Sequence, residues 1–234
     1  MTAAFDHTVA NAPNIETFYF KPERPLSYTA GQFVELSIPH DSPDNRGAKR
    51  WFTLSSSPTQ DLLAFTTRFA VERGSSYKDA LRSLKPGDSV TVSDPMGDFV
   101  LPKLIQTPIV FVAGGIGVTP FASMLQWLAA TGESRPIKMM LGVNNESEIV
   151  FQDVFDSADQ HVTVVVDKPS PAWGGERGRI NAEMVLGVEQ PGDDTLIYIS
   201  GPEQMVEKLT KDLLAAGVNK HQIVGDYFPG YPAE

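Results

Sequence analysis

Arg50-Trp51-Phe52-Thr53-Leu54-Ser55-Ser56-Ser57-Pro58 brings a cation, two aromatic rings and a run of hydroxyls close together along the chain. A guanidinium donates in parallel pairs to phosphate oxygens, and hydroxyls meet ring heteroatoms as donor or acceptor. Trp, Phe, Thr and Leu favour an extended strand, which Pro58 ends. Alternation sends Arg50, Phe52 and Leu54 to one face and Trp51, Thr53 and Ser55 to the other. Such a strand can line a flat aromatic ligand. Taken alone, it also fits an ordinary strand with one buried ring and a polar turn.

A second chemical stretch is Val110-Phe111-Val112-Ala113-Gly114-Gly115-Ile116-Gly117-Val118-Thr119-Pro120. Glycines between a Val/Phe strand and a helix let a pyrophosphate approach the backbone at the helix start, and Pro120 suits the first helical turn. The spacing is not the Gly-x-Gly-x-x-Gly of the Rossmann fingerprint, and a tight turn without ligand is the alternative. A third stretch, Gly74-Ser75-Ser76-Tyr77, opens a short helix with apolar spacing at Tyr77, Ala80, Leu81 and Leu84. Its serine-rich start is either an anion site or the cap of a plain surface helix.

The elements that position these stretches have two textures. From Thr8 to about Phe99, short alternating runs are punctuated by Gly, Pro, Asn and Asp, as in Ile15–Phe20, Gln32–Ile38 and Leu62–Phe69. This predicts a small antiparallel β-barrel or sandwich. Asp41–Lys49 reads as a polar loop delivering the chain to Arg50. From Ile109 onward, apolar runs alternate with helical segments: strands at Ile109–Ala113, Ile137–Val143, His161–Val166, Leu196–Ser200 and Gln222–Tyr227. Repeated βα units imply a five-stranded parallel sheet covered on both faces, with ligand at the strands' carboxyl ends. The expected division is a β-barrel domain over 1–103 and an α/β domain over 104–234.

Composition narrows the function. The net charge is −10, with 11 Lys and Arg against 12 Asp and Glu over 1–103 and 8 against 17 over 104–234. That balance argues against nucleic acid, while Arg68, Arg73, Lys78, Arg82 and Lys85 cluster in the near-neutral half, where they suit phosphates or an acidic partner. There is no apolar run of membrane-spanning length and no basic, apolar leader at Met1–His7, so no membrane span and a cytoplasmic location are expected. With no cysteine, this chain has no disulfide, Cys-ligated zinc or all-Cys iron–sulfur cluster. His7, His40, His161 and His221 lack metal-ligand spacing, and no metal site is expected.

The first two stretches, in this order, resemble the ferredoxin–NADP reductase superfamily of flavin-dependent oxidoreductases, whose flavin motif is Arg-x-Tyr-Ser/Thr and whose nicotinamide motif is Gly-Gly-x-Gly-x-Thr-Pro. The resemblance covers nearly the whole chain. It implies a flavin-binding barrel followed by a nicotinamide-binding domain, with FAD the expected flavin over FMN. It implies flavin contacts from Arg50, Trp51, Phe52, Thr53, Thr67 and Arg68, and phosphate contacts from Gly74, Ser75, Ser76 and Tyr77. Nicotinamide contacts fall to Gly114, Gly115, Gly117, Thr119 and Pro120, and to Ser200-Gly201-Pro202, where the superfamily usually has Cys-Gly-Pro. Phe52 replaces a tyrosine, and Thr53 stands at the position that approaches flavin N5.

Gly225-Asp226-Tyr227-Phe228-Pro229-Gly230-Tyr231 resembles a C-terminal signature in which an acidic residue and an aromatic, here Asp226 and Phe228, lie near both cofactors; an unstructured tail is the competing reading. Thr53, Ser200 and Asp226 are the implied catalytic set. The implied activity passes hydride from NADH or NADPH to flavin, then single electrons to an external acceptor such as ferredoxin, flavodoxin or an oxygenase component. The alternatives are a reductase of free flavin or ferric chelates, and a non-catalytic flavin-binding sensing or interaction module. NADH is favoured over NADPH because Gly142-Val143-Asn144-Asn145-Glu146-Ser147-Glu148 offers two carboxylates and no cation to a 2′-phosphate, although Lys168, Arg177 and Arg179 lie on later loops.

Overall fold

The structure is a computed structural model that describes residues 1–41, 43–70, 74–188, 192 and 194–228. The first half builds β1 (Thr2–Ala12), β2 (Ile15–Pro22), β3 (Phe33–Ser37), β4 (Lys49–Thr53), β5 (Leu63–Arg68), α1 (Ser76–Ser83) and β6 (Ser89–Val92). The strands pair antiparallel in the order β4-β3-β6-β1-β2-β5. The two edge strands approach each other where the Ser55 N–H donates to the Ala64 carbonyl at 2.9 Å, which closes the sheet toward a barrel. Alternation fills the interior with Phe5, Phe18, Phe20, Val34, Leu36 and Phe65. Helix α1 adds Tyr77 and Leu81, four residues apart and both fully buried, to the same core.

Strand β1 extends the barrel toward the N-terminus beyond the expected start at Thr8. Its inward residues include the small Ala3, so its alternation is weak in sequence, and Asn14 at φ 61° makes the tight turn into β2.

The second half builds β7 (Ile109–Gly114), a 3₁₀ turn over Gly115–Val118, α2 (Thr119–Thr131), β8 (Ile137–Val143), α3 (Gln152–Ser157), β9 (Val162–Val166), β10 (Glu176–Arg177), α4 (Ala182–Val188), β11 (Leu196–Pro202), α5 (Glu203–Ala215) and β12 (Ile223–Phe228). All pairs are parallel, in the order β10-β9-β8-β7-β11-β12. The sixth strand, β10, was not expected: a two-residue exposed edge strand of Glu and Arg leaves no hydrophobic pattern. Phe111 and Ala113 face Phe121, Met124 and Leu125 of α2, while Val110 and Val112 face Val206, Leu209 and Leu213 of α5. That two-sided burial is why these strands read as continuous apolar runs.

The halves share a packed seam. Ile15, Ala30 and Phe99 join the core around α2, and Phe99 meets Phe121 and Tyr198 with ring centroids 5.6 and 5.2 Å apart. Ser123 Oγ donates to the Ser56 carbonyl at 2.6 Å, Gln126 Nε2 to the Ser55 carbonyl at 2.8 Å, and Tyr198 Oη to the Val100 carbonyl at 2.8 Å.

Candidate functional site

In the parallel sheet the chain runs outward from β7 to β8 and β9 on one side, and through β11 and β12 on the other. The order reverses between β7 and β11, the crevice where open α/β sheets bind ligands beyond the strands' carboxyl ends. Gly114 ends β7 there and Gly115 opens the 3₁₀ turn, beside Ser200 and Gly201 of β11. A Cβ on Gly117 would collide with the Ser200 carbonyl, and one on Gly201 would lie 3.1 Å from Gly114 Cα. The backbones therefore touch, and Gly115 turns at φ 52°, a conformation L side chains rarely adopt. Thr119 Oγ1 donates to the Ile116 carbonyl at 3.1 Å, and Pro120 lies in the first turn of α2, so both serve the turn geometry.

Ser200 is fully buried, and its Oγ is the sole buried side-chain polar atom without a hydrogen-bond partner among the described residues. A buried hydroxyl left unpaired costs free energy unless a ligand supplies the partner. Asp226 pairs across from Ser200 on β12. Burial pushes its carboxyl up, and the nearby charge of Asp98 adds to the effect. The backbone of Phe228 pairs with Pro202. Pro229, Gly230 and Tyr231 lie outside the described residues.

On the barrel side, Arg50 turns inward, its side chain 7% exposed, with its guanidinium carbon 4.9 Å from the Tyr77 ring centroid. Its Nη1 donates to the carbonyls of Arg46, Gly47 and Lys49 at 2.8, 2.9 and 2.6 Å. Its Nη2 donates to Asp44 Oδ1 at 3.3 Å, and the other oxygen of the same carboxylate accepts the Ser76 N–H at 3.2 Å. The helix start and the arginine thus converge on one anionic group. Ser75 caps α1 by accepting the Lys78 N–H at 3.2 Å. The Tyr77 hydroxyl donates to the Leu36 carbonyl at 2.9 Å, so it is committed to the barrel core rather than open to a phosphate. A Cβ on Gly74 would lie 2.8 Å from Asp79 Oδ1.

Trp51 is 65% exposed and leans on Phe33, whereas Phe52 packs between Phe65 and Tyr77 with centroids 5.9 and 6.0 Å away. Thr53 is 5% exposed, and its hydroxyl, unlike that of Ser200, is not among the sealed and unpaired polar atoms of the described residues. Ser55, Ser56 and Ser57 are spent internally: Ser55 Oγ donates to the Ala64 carbonyl, Ser56 Oγ accepts the Ala64 N–H, and Ser57 Oγ pairs with Thr59. Thr67 is buried on β5, beside Thr66, whose hydroxyl pairs with those of Thr17 and Ser55.

Arg68 belongs to the seam. Its Nη2 is 2.8 Å from Glu148 Oε2 and would be 3.4 Å from a Cβ on Gly115, so it stands over the glycine turn. Sequence reasoning missed both acidic partners. Asp44 lay in a stretch read only as a polar loop, and Glu148 was read as a repeller of phosphate rather than a partner of Arg68. The flanking cations act together on Lys78. Burial, then the charges of Arg46, Arg50, Arg68 and Arg82, lower its amine to about 8. Burial works against ionisation of Asp44, but hydrogen bonds from Arg46 and the charges of Arg46 and Arg50 bring it down to about 2.

Residues 111–211 match the oxidoreductase NAD-binding domain family. The chain is 26% identical over 242 residues to flavohemoprotein A of Dictyostelium discoideum, covering 95% of this chain and 59% of that protein. It is 28% identical over 199 residues to the toluate 1,2-dioxygenase electron transfer component of Pseudomonas putida, covering 82% of this chain and 56% of that one. It therefore spans less than two thirds of the length of these relatives. The solved ferredoxin NADP+ reductase of Neisseria gonorrhoeae, with bound FAD and NADP, shares the fold with a TM-score of 0.81 at 18% identity, covering 97% of this chain and 98% of that one. An antiparallel barrel closed against a parallel sheet, with a glycine turn and Ser-Gly-Pro meeting at the switch point, gives this chain the fold of the solved ferredoxin NADP+ reductase, with an oxidoreductase NAD-binding domain over residues 111–211.

Proposed function

We propose that the chain is an NAD(P)H-dependent flavin oxidoreductase that holds FAD on the barrel and passes electrons to an acceptor outside itself. The observation that carries this reading is Arg68, which brings the end of barrel strand β5 onto the Gly115 turn and so joins the two motifs in one cleft. The residues suit both groups. Arg50 and Ser76 already converge on an anion, Thr53 offers a hydroxyl, and Ser200 offers one at the switch point that has no partner among the described residues. The chemistry supplied by the bound cofactors is hydride transfer followed by release of single electrons. The chain's own work is to bind and align. Arg50 and the start of α1 would hold the flavin diphosphate, Gly117 and Gly201, by lacking a Cβ, let the two backbones meet at the switch point, and the Ser200 hydroxyl would orient the nicotinamide there. Asp226, with its carboxyl pushed up, can hold a proton beside Ser200.

NADH fits better than NADPH. Glu146 Oε1 accepts from both the N–H and Oγ of Ser170 at 2.9 and 2.8 Å, so a carboxylate stays fixed beyond β8. Two of the three later cations are engaged elsewhere: Arg179 pairs with Asp167 at 3.0 Å, and Arg177 donates to the Trp173 carbonyl. Dioxygenase electron transfer components among the relatives support an oxygenase component as the acceptor, with ferredoxin or flavodoxin as the alternatives. The test is to load the chain with FAD and add each nicotinamide without oxygen. Flavin absorbance should bleach faster with NADH. A chain that holds no flavin, or one that no nicotinamide bleaches, refutes the proposal.

A further inference from the structure

Resting on the flavin reading above, we propose that Asp44 is a built-in occupant of the flavin phosphate seat, and that flavin gains the donors there only by displacing it. Two donors define that seat, Arg50 Nη2 and the Ser76 N–H, and both point at the Asp44 carboxylate, at 3.3 and 3.2 Å. The Tyr77 ring covers a face of the guanidinium, and three carbonyls take its Nη1. Asp44 thus takes the edge turned toward the helix start. Two anions cannot share that pair of donors without repelling each other.

The loop is also built to receive the carboxylate once it leaves. Arg46 donates to it from its backbone N–H at 3.0 Å and from Nη2 at 3.1 Å, and these partners travel on the same loop. A displaced Asp44 therefore stays paired and does not become a buried lone charge, which would make release prohibitive. The Asp44 N–H also donates to Ser76 Oγ at 2.8 Å, a bond that must open when the carboxylate leaves, while Arg50 Nη1 keeps the loop carbonyls of Arg46 and Gly47. With its pKa brought down to about 2, the carboxylate competes as an anion throughout the neutral range. The consequence is a flavin held less tightly than its donors allow, and one that exchanges.

The test uses the full chain with Asp44→Asn, which keeps shape and removes charge, and Asp44→Ser, which removes the reach. Each is titrated with FAD and, separately, with inorganic pyrophosphate. Replacing a charged competitor by a neutral one should tighten FAD about tenfold, the gap between charge-assisted and neutral hydrogen bonds. Pyrophosphate should tighten in parallel. Without ligand the variants should melt below the wild type, and with saturating FAD that gap should close. Folded variants that bind both probes no more tightly than the wild type overturn the proposal. Tighter pyrophosphate with no FAD binding by any form upholds the Asp44 seat and instead overturns the assignment of flavin to it.

Discussion

Replacing Ser200 by alanine should stabilise the protein when it is stripped of cofactors and slow it when it is working. Ser200 is fully buried, and its hydroxyl has no partner among the described residues. Leaving such a group unpaired costs about 1–3 kcal/mol. Deleting one oxygen forfeits packing worth less than a buried methylene, about 0.8 kcal/mol. The balance is a gain of about 1 kcal/mol, equivalent to roughly 2–4 °C in melting temperature for a chain of this size. Thermal melts of stripped wild type and Ser200→Ala, followed by circular dichroism, measure it directly. If the hydroxyl instead serves nicotinamide, its loss removes one hydrogen bond, and kcat/KM should fall about 3–10-fold. A stripped variant that melts at or below the wild type refutes the reasoning, because the hydroxyl would then already be satisfied.

Gly117→Ala drives a Cβ into the Ser200 carbonyl and should cost about 1–3 kcal/mol of stability while raising the KM for nicotinamide; an unchanged KM in folded enzyme would remove Gly117 from the site. Gly115 should tolerate substitution poorly because its φ is positive, with flavin content retained while nicotinamide kinetics worsen, as absorbance and initial rates would show. A double-mutant cycle on Arg68 and Glu148, whose side chains are 33% and 15% exposed, should give a coupling of about 0.5–1 kcal/mol by urea unfolding; zero coupling would mean the pair does not fasten the halves. Because folding raises the Asp226 pKa, ionisation of that carboxyl opposes folding at neutral pH. Asp226→Asn should therefore raise the melting temperature at pH 7, with the advantage fading as pH falls through the raised pKa toward the ordinary carboxylate value and absent below it; melts across that range check the sign.

Legibility in the sequence followed burial. Ile137–Val143 emerges with the ends read from its residues, because a strand covered on both faces is apolar throughout and stops where polarity begins. Strand β1 was read short because its inward positions include alanine, which carries little hydrophobic signal, and β10 was missed because pairing alone defines it. In the site, the glycine turn was legible since its local geometry demands its residues. The role of Arg68 was not. Its nearest acid lies eighty positions away, and only the meeting of the two sheets decides which motif it serves. The serine run looked like ligand chemistry because hydroxyl composition is the same whether the partner is a cofactor or the Ala64 backbone.

The helix that opens behind the glycine turn also holds the barrel. Through Ser123 and Gln126, α2 supplies donors to the carbonyls of Ser56 and Ser55, directly after the strand that carries Arg50 and Thr53. Cutting the chain between the sheets would strip those carbonyls of partners and uncover Phe99, Ile15 and Ala30. Neither half is therefore expected to be an autonomous folding unit. The polypeptide should melt in one cooperative transition, with nicotinamide analogues shifting the denaturation of the barrel as much as that of the sheet they touch.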